Sequence, residues 1–317
     1  MNIKVKVTFN KFKKFLASNG ALVGLLVLIV GFSLITNTFL STYNLLNIAR
    51  QSAVNLILAI GMTLVVLTGG IDLSIGGVLA LIGTIVAGLL SEGTSLFLSL
   101  SVGILIGLVF GLFAGFCITK AKIPPFVATL GILTIARSLA LIYSGGYPIT
   151  GMPKNFTFIG AGYLLSIPFP VIIASLIFIV GLFLLKSTLF GRYVYAIGGN
   201  KEASYLSGIN VDRWTIGVWA LNGLLVALAG IVLTARMNSG QPAAASGIEL
   251  DIIAAVVIGG TSLAGGEGKL LGTLYGTLII TVLNNGLTLM SVNPYYQGAI
   301  IGLVILGAVW IDRRSKD

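Results

Sequence analysis

Read for hydrophobic and polar positions, the chain is a succession of long apolar runs broken by short polar or glycine-rich stretches. The runs lack the strict alternation of half-buried strands and continue around every face of a helix. A bilayer core of about 30 Å takes roughly 20 apolar residues as a helix. Backbone groups in lipid pair only within helices or closed barrels, and barrel strands would be short and alternating. The pattern therefore predicts helices near 20–38, 52–68, 73–90, 96–118, 125–143, 166–185, 214–234, 250–264, 270–289 and 296–311. Breaks at Gly69-Gly70 and Gly265-Gly266 divide apolar regions too long for one helix. The expected fold class is an all-α membrane protein, a polytopic bundle of about ten transmembrane helices. It divides into a basic tail (1–19), a membrane domain (20–311) containing a polar loop at 186–213, and a short tail at 312–317.

Composition supports this picture. Hydrophobic residues make up 56% of the 317, charged residues 9%, and the mean hydropathy is +1.06. A soluble domain of that length needs far more polar surface. The single Cys117 offers no internal disulfide. Histidine is absent, which removes imidazole ligands, Ser/His and Cys/His pairs and the commonest general base. An intramembrane hydrolase working through a histidine base is thereby excluded, and no clustered carboxylates suggest another intramembrane enzyme. The first run follows Lys4, Lys6, Lys11, Lys13 and Lys14 but leads into Thr36-Asn37-Thr38 without a small-x-small cleavage site. An uncleaved first helix is expected.

The net charge of +10 matters through its placement. With the N-terminus in the cytoplasm, fifteen of the 19 basic residues fall in inside segments. Arg50, Lys154 and Arg236 fall outside, and Arg137 lies within a span. The positive-inside rule thus predicts both termini cytoplasmic, as an even number of spans requires.

Hydrophobicity alone cannot hold helices together in lipid, whereas small residues allow close backbone approach. Gly103, Gly107, Gly111 and Gly115 form one stripe, Gly268, Gly272 and Gly276 a second, and Gly298 and Gly302 a third. Spacing by four puts each set on one face, which predicts tight helix contact, with a backbone-lined path as the sharper reading. The segment from Gly69 to Gly76 also faintly resembles that from Gly259 to Gly266, as internal repeats of transporters do.

Few residues could carry chemistry. Asp72 at mid-membrane would cost about 2.5–3.5 kcal/mol and would be functional by default. If the chain breaks at Gly69-Gly70, it instead caps the next helix from the water side. Arg137 either snorkels or faces the bundle interior. Asn55, Asn284 and Asn285 serve as interhelical hydrogen bonds, worth about 0.6 kcal/mol on average, or as contacts for a hydroxylated solute. Glu249 and Asp251 sit where they complement a helix N-terminus. These readings place Asn55, Asp72, Arg137, Asn284 and Asn285 as candidates for a pathway or gate.

The loop 186–213 is the most informative polar segment. Gly198, Gly199 and Asn200 end one element, and a short helix follows from Lys201 to about Ser207, closed by Gly208. Glu202 adds charge, while Ala203 and Leu206 make a narrow apolar face suited to docking. A phosphate-binding loop is absent. Lys269 follows Gly268, but Leu263 and Leu270 stand where that motif needs Gly and Ser or Thr.

Four segments together resemble the permease subunit of a ribose-type ABC monosaccharide importer, from about Leu40 to the C-terminus. They are Ala59–Ser74, Gly191–Val211, Glu249–Leu263, and Leu283–Leu287 with Tyr295-Tyr296-Gln297. The resemblance implies a permease dimer, a cytoplasmic ATP-binding subunit, an extracytoplasmic sugar-binding protein and a multi-pass place in a prokaryotic plasma membrane. It implies no cofactor on this chain, ATP and Mg residing on the partner ATPase, and it makes Gly198–Gly208 the segment that docks on that ATPase. Arg50, Lys154 and Arg236 become candidates for pairing with acidic groups of the binding protein. Ribose is the expected substrate, with other monosaccharides open. The rival reading is an ion-coupled secondary sugar transporter, which would want buried carboxylates at the midplane.

Overall fold

The computed structural model describes residues 20–293, 295–303 and 307. The two charged tails and part of the last expected span lie outside the described residues. Within them the regular secondary structure is helical apart from one two-stranded hairpin and an isolated bridge between Ile149 and Gly240. In chain order the helices are α1 (Gly20–Ile35), α2 (Thr42–Leu67), α3 (Ile75–Ser91), α4 (Leu96–Thr119), α5 (Pro125–Ser144) and α6 (Lys154–Ala161). The hairpin β1 (Tyr163–Leu164) and β2 (Ile167–Pro168) follows, then α7 (Phe169–Ser187), α8 (Leu189–Gly199), α9 (Lys201–Leu206), α10 (Val211–Met237), α11 (Ile248–Ile258) and α12 (Leu270–Leu289). Residues 295–303 are again helical. Among the described residues six helices, α2, α4, α5, α7, α10 and α12, are long and apolar enough to cross a membrane. The polytopic all-α class stands.

Helix α2 is the axis of the bundle. Its apolar window is 89% buried, against 22% for α4, α5 and α7. Those peripheral helices are no less apolar than the axis. Lipid accepts an apolar exterior, so burial here follows packing and small residues. The first glycine stripe behaves accordingly. A Cβ on Gly107 would lie 2.7 Å from Ala227 Cβ, and one on Gly111 would lie 3.1 Å from the Ala220 and Gly223 backbones, so α4 and α10 touch backbone to backbone. The second stripe packs α12 on α11, where a Cβ on Gly276 would sit 2.9 Å from the Ala255 carbonyl carbon. Gly298 and Gly302 of the third meet nothing within 4 Å. A second core of Leu25, Phe32, Phe39, Ile279, Leu283 and Leu287 joins α1 to α12.

One expected span is shortened. Instead of 250–264, α11 has 11 residues and at about 1.5 Å per residue is some 16 Å long, half a hydrocarbon core. Gly260 takes φ +83° after its last turn, and Thr261 N–H bonds back to Val256 O at 3.2 Å. That is a glycine-terminated helix end with a six-to-one bond. Helix α2 ends the same way: Gly69 has φ +78°, and Gly70 N–H reaches Val65 O at 3.1 Å. The weak similarity between these segments is thus a shared way of stopping a helix, offset by one residue.

Candidate functional site

Several groups of side chains and backbone carry the chemistry, and α2 touches most of them. Along its α12 face runs a polar seam. Asn44 and Asn285 exchange amide hydrogen bonds of 3.0 and 2.8 Å. Asn55 Nδ2 donates to Thr281 Oγ1 at 3.2 Å, and the hydroxyls of Thr63 and Thr273 lie 2.8 Å apart. Asn55 and Asn285 therefore bond helix to helix. Asn284 points elsewhere. Its Nδ2 donates to Asp251 Oδ2 at 3.1 Å, while its Oδ1 is buried with no partner. Asn284 and Asn285 line a cavity of about 340 Å³ with Asn47, Gln51, Asp251 and Gln297.

Asp72 is 4% exposed. It accepts from Ser74 N–H at 2.8 Å and Ser74 Oγ at 2.6 Å, which makes it a cap-like residue at the start of α3. The expectation that it caps from the water side is corrected, because α10 covers it. Asn222 Nδ2 of that helix donates to Asp72 Oδ2 at 2.6 Å. Beside the carboxylate a void of about 10 Å³, lined in part by Phe110, Gly111 and Gly223, is at the lower limit for one water. Sequence reading missed Asn222, although a lone amide in the apolar run of α10 was a visible signal. Arg137 is half-buried. Its Nη1 donates to Pro242 O at 2.8 Å and Ala244 O at 2.7 Å, pinning the segment between α10 and α11 to α5.

Two of the basic residues expected outside, Arg50 and Arg236, lie together at the first half of α2. Arg236 Nη2 donates to Asn47 Oδ1 at 3.0 Å. Arg50 bonds the Tyr163 hydroxyl, with its guanidinium 4.8 Å from that ring's centre. Arg50 and Arg236 are thus partly engaged within the chain, whereas Lys154 is exposed.

At the opposite end, α8 and α9 form a bent hairpin. Helix α8 buries Gly191, Val194 and Ile197. Tyr193 packs edge-on against Trp214 at 5.0 Å, and the Tyr195 hydroxyl donates to Gly268 O at 2.9 Å. Burial pushes the Tyr195 phenol above its ordinary pKa. Asn200 caps α9 by accepting from Ala203 N–H at 2.9 Å, and Gly208 turns the chain with φ +82°. The outer face is bare: Tyr205 is 71% and Leu206 78% exposed, and Lys201, Glu202 and Ala203 are exposed too. Beside it a groove of about 660 Å³ includes the Lys120–Asp212 ion pair, 2.7 Å long.

The closest approach of the hairpin to the bundle is made by glycine. Leu67 O, at the end of α2, accepts Gly266 N–H at 2.9 Å. A Cβ on Gly198 would overlap that oxygen and lie 2.9 Å from its carbon. One on Gly265 would lie 3.0 Å from Gly69 N and 3.1 Å from Gly198 O. The ends of α2 and α8 and the loop after α11 therefore meet backbone on backbone. Positions 69, 198 and 265 are far apart in sequence, so only folding reveals the junction.

A family model described as a branched-chain amino acid transport system / permease component matches residues 44–309. Over 299 residues the chain is 49% identical to the ribose import permease protein of Bacillus subtilis (strain 168), covering 94% of this chain and 93% of that one. Over 308 residues it is 44% identical to the ribose import permease protein of Escherichia coli (strain K12), covering 96% of each. The xylose transport system permease protein of Haemophilus influenzae is 36% identical over 360 residues, covering 93% of this chain and 96% of that protein. No solved structure matches.

Proposed function

The chain belongs to the family of branched-chain amino acid transport system / permease components, and we propose that it is the membrane permease of an ABC importer for ribose or a related monosaccharide. The relatives' names supply the sugar. The observation that carries the mechanism is the α8–α9 hairpin. Its inner face is buried and fixed by the glycine junction, while its tip offers Tyr205 and Leu206 to solvent. An apolar tip on a rigid stem suits a partner that pushes.

In this reading the hairpin is cytoplasmic, both termini lie on its side, and ten segments enter the membrane with α11 as a half-length element. The chain hydrolyses nothing. A separate subunit binds ATP and Mg and grips Lys201, Glu202, Ala203 and Leu206, with Gly198, Gly199, Asn200 and Gly208 shaping the hairpin. Closure of the ATPase moves the hairpin and, through Gly198, Gly266 and Leu67, the ends of α2 and α11. Alternating access is then a shift between two packings, biased by nucleotide. A second permease subunit completes the path, and an extracytoplasmic binding protein docks at the end bearing Lys154, Arg50 and Arg236. Asn284 and Asn285 line the path directly, whereas Asn55, Asp72 and Arg137 hold its walls.

Vesicles containing the chain, its ATPase and its binding protein test this. Labelled ribose accumulates when ATP is supplied to the ATPase side and stops with a non-hydrolysable analogue. Equal uptake with the analogue overturns the proposal.

A further inference from the structure

We propose that the cavity between α2, α11, α12 and helix 295–303 is a solute subsite that takes a neutral polyhydroxylated molecule, with Asp251 as a specificity-determining acceptor. The inference rests on the permease reading and goes beyond it by assigning a ligand class and residues to one place.

The cavity is anomalous for a chain with 9% charged residues. Asn47 and Gln51 are one helical turn apart on α2, and Asn284 and Thr288 one turn apart on α12, so two polar ladders face the same space. Asp251 closes one side and Gln297 another. Polar groups inside a membrane protein are costly, and they face a partner or a water-filled cavity. Several of these groups are held in place: Asn47 accepts from Arg236, Asp251 accepts from Asn284, and Gln297 Nε2 donates to Val292 O at 2.8 Å. Asn284 Oδ1 still has no partner, and a buried acceptor left unmade is costly. That oxygen is shut off from the open space, so a solute hydroxyl would meet it only once the Asn284 side chain turns toward the cavity.

The chemistry of the lining selects among solutes. Amides offer donor and acceptor side by side, and a carboxylate is an acceptor for paired hydroxyls. About 340 Å³ holds on the order of ten waters at about 30 Å³ each, which is room for a five-carbon sugar. Among the described residues no basic side chain lines the space, and Ile301 is its one large apolar residue. A branched-chain amino acid would need a cation for its carboxylate and an apolar pocket for its side chain, so this cavity discriminates against the solute in the family's description. It lies at the end of α2 opposite the α8–α9 hairpin, the outer mouth in the proposed topology, where a binding protein would release its sugar.

The test uses the full chain in lipid nanodiscs and the complete importer in liposomes. Saturation-transfer NMR is recorded with D-ribose and with L-leucine on wild type, Asp251→Leu and Gln51→Leu. The proposal expects transfer to ribose and little to leucine. It also expects a loss of ribose transfer of at least about tenfold in Asp251→Leu, and a fall in ATP-driven ribose uptake in step. Equal transfer to both solutes, or undiminished transfer to ribose in both variants, overturns the subsite. Should either variant aggregate on gel filtration, Thr288→Val at the rim takes its place with the same readouts. A wild-type importer that takes up no ribose at all would instead refute the permease reading, so the two failures are separable.

Discussion

Adding one methyl group at Gly198 is the sharpest perturbation of the coupling route. In Gly198→Ala the new Cβ would overlap Leu67 O and lie 2.9 Å from its carbonyl carbon, and Leu67 O is already engaged by Gly266 N–H at 2.9 Å. An ordinary carbon contact needs about 3.5–4.0 Å. The end of α8 must therefore retreat from α2, and the Gly266–Leu67 bond stretches with it. Overpacking of this kind costs about 1–3 kcal/mol and a lost hydrogen bond about 1 kcal/mol, or about 2–4 kcal/mol together. A penalty of 2 kcal/mol confined to the coupled packing changes its population about thirtyfold, at 1.4 kcal/mol per factor of ten. Gly199 supplies the control, because a Cβ there meets nothing within 4 Å. The assay is ATP-driven ribose uptake in liposomes, with ATPase turnover read in parallel. Gly198→Ala should lose most uptake while ATP hydrolysis persists, and Gly199→Ala should transport as wild type does. Equal behaviour of the two variants would refute the junction as a transmission point.

Other outcomes follow from the same contacts. Glu202→Arg with Leu206→Asp should abolish co-purification with the ATPase while leaving the melting temperature of the permease unchanged, since both side chains are exposed. Asp72→Ala strands Asn222 Nδ2 in the interior and should destabilise the chain by about 1–3 kcal/mol, read by thermal unfolding in detergent. A double-mutant cycle on Asn44→Ala and Asn285→Ala should give a coupling of about 0.6–1.7 kcal/mol, and additive effects would show that their paired bonds contribute nothing. Arg137→Met frees the carbonyls of Pro242 and Ala244. Proteolysis of the 238–247 segment should quicken while uptake at saturating sugar changes little.

Much of the architecture was legible because its signals are local. Apolar runs of bilayer length located most helices, and Asn200 and Gly208 bounded α9 through cap chemistry that acts within a few residues. What sequence could not rank was burial. In lipid both the axis α2 and the rim helices α4 and α7 are apolar, so hydropathy does not separate inside from outside. The shortened α11 was misread for a related reason. Val256, Val257 and Ile258 continue into Leu263 and Ala264 by composition, but the Gly259-Gly260 turn stops the helix. The candidate pathway residues parted company in three dimensions. Asn284 reaches a cavity, Asn55 pairs with Thr281, and Arg137 pins a loop. Which face of a helix meets which neighbour depends on contacts between residues hundreds of positions apart, and one chain read alone does not contain them.

The measurement that bears most directly on the account places the purified chain in liposomes without any other protein and imposes, in turn, proton and sodium gradients across the membrane. Labelled ribose should not accumulate under either gradient, and accumulation should begin once the ATP-binding subunit, the binding protein and ATP are supplied. Concentrative uptake by the chain alone under an ion gradient would contradict the claim that its motion is driven from outside through the α8–α9 hairpin.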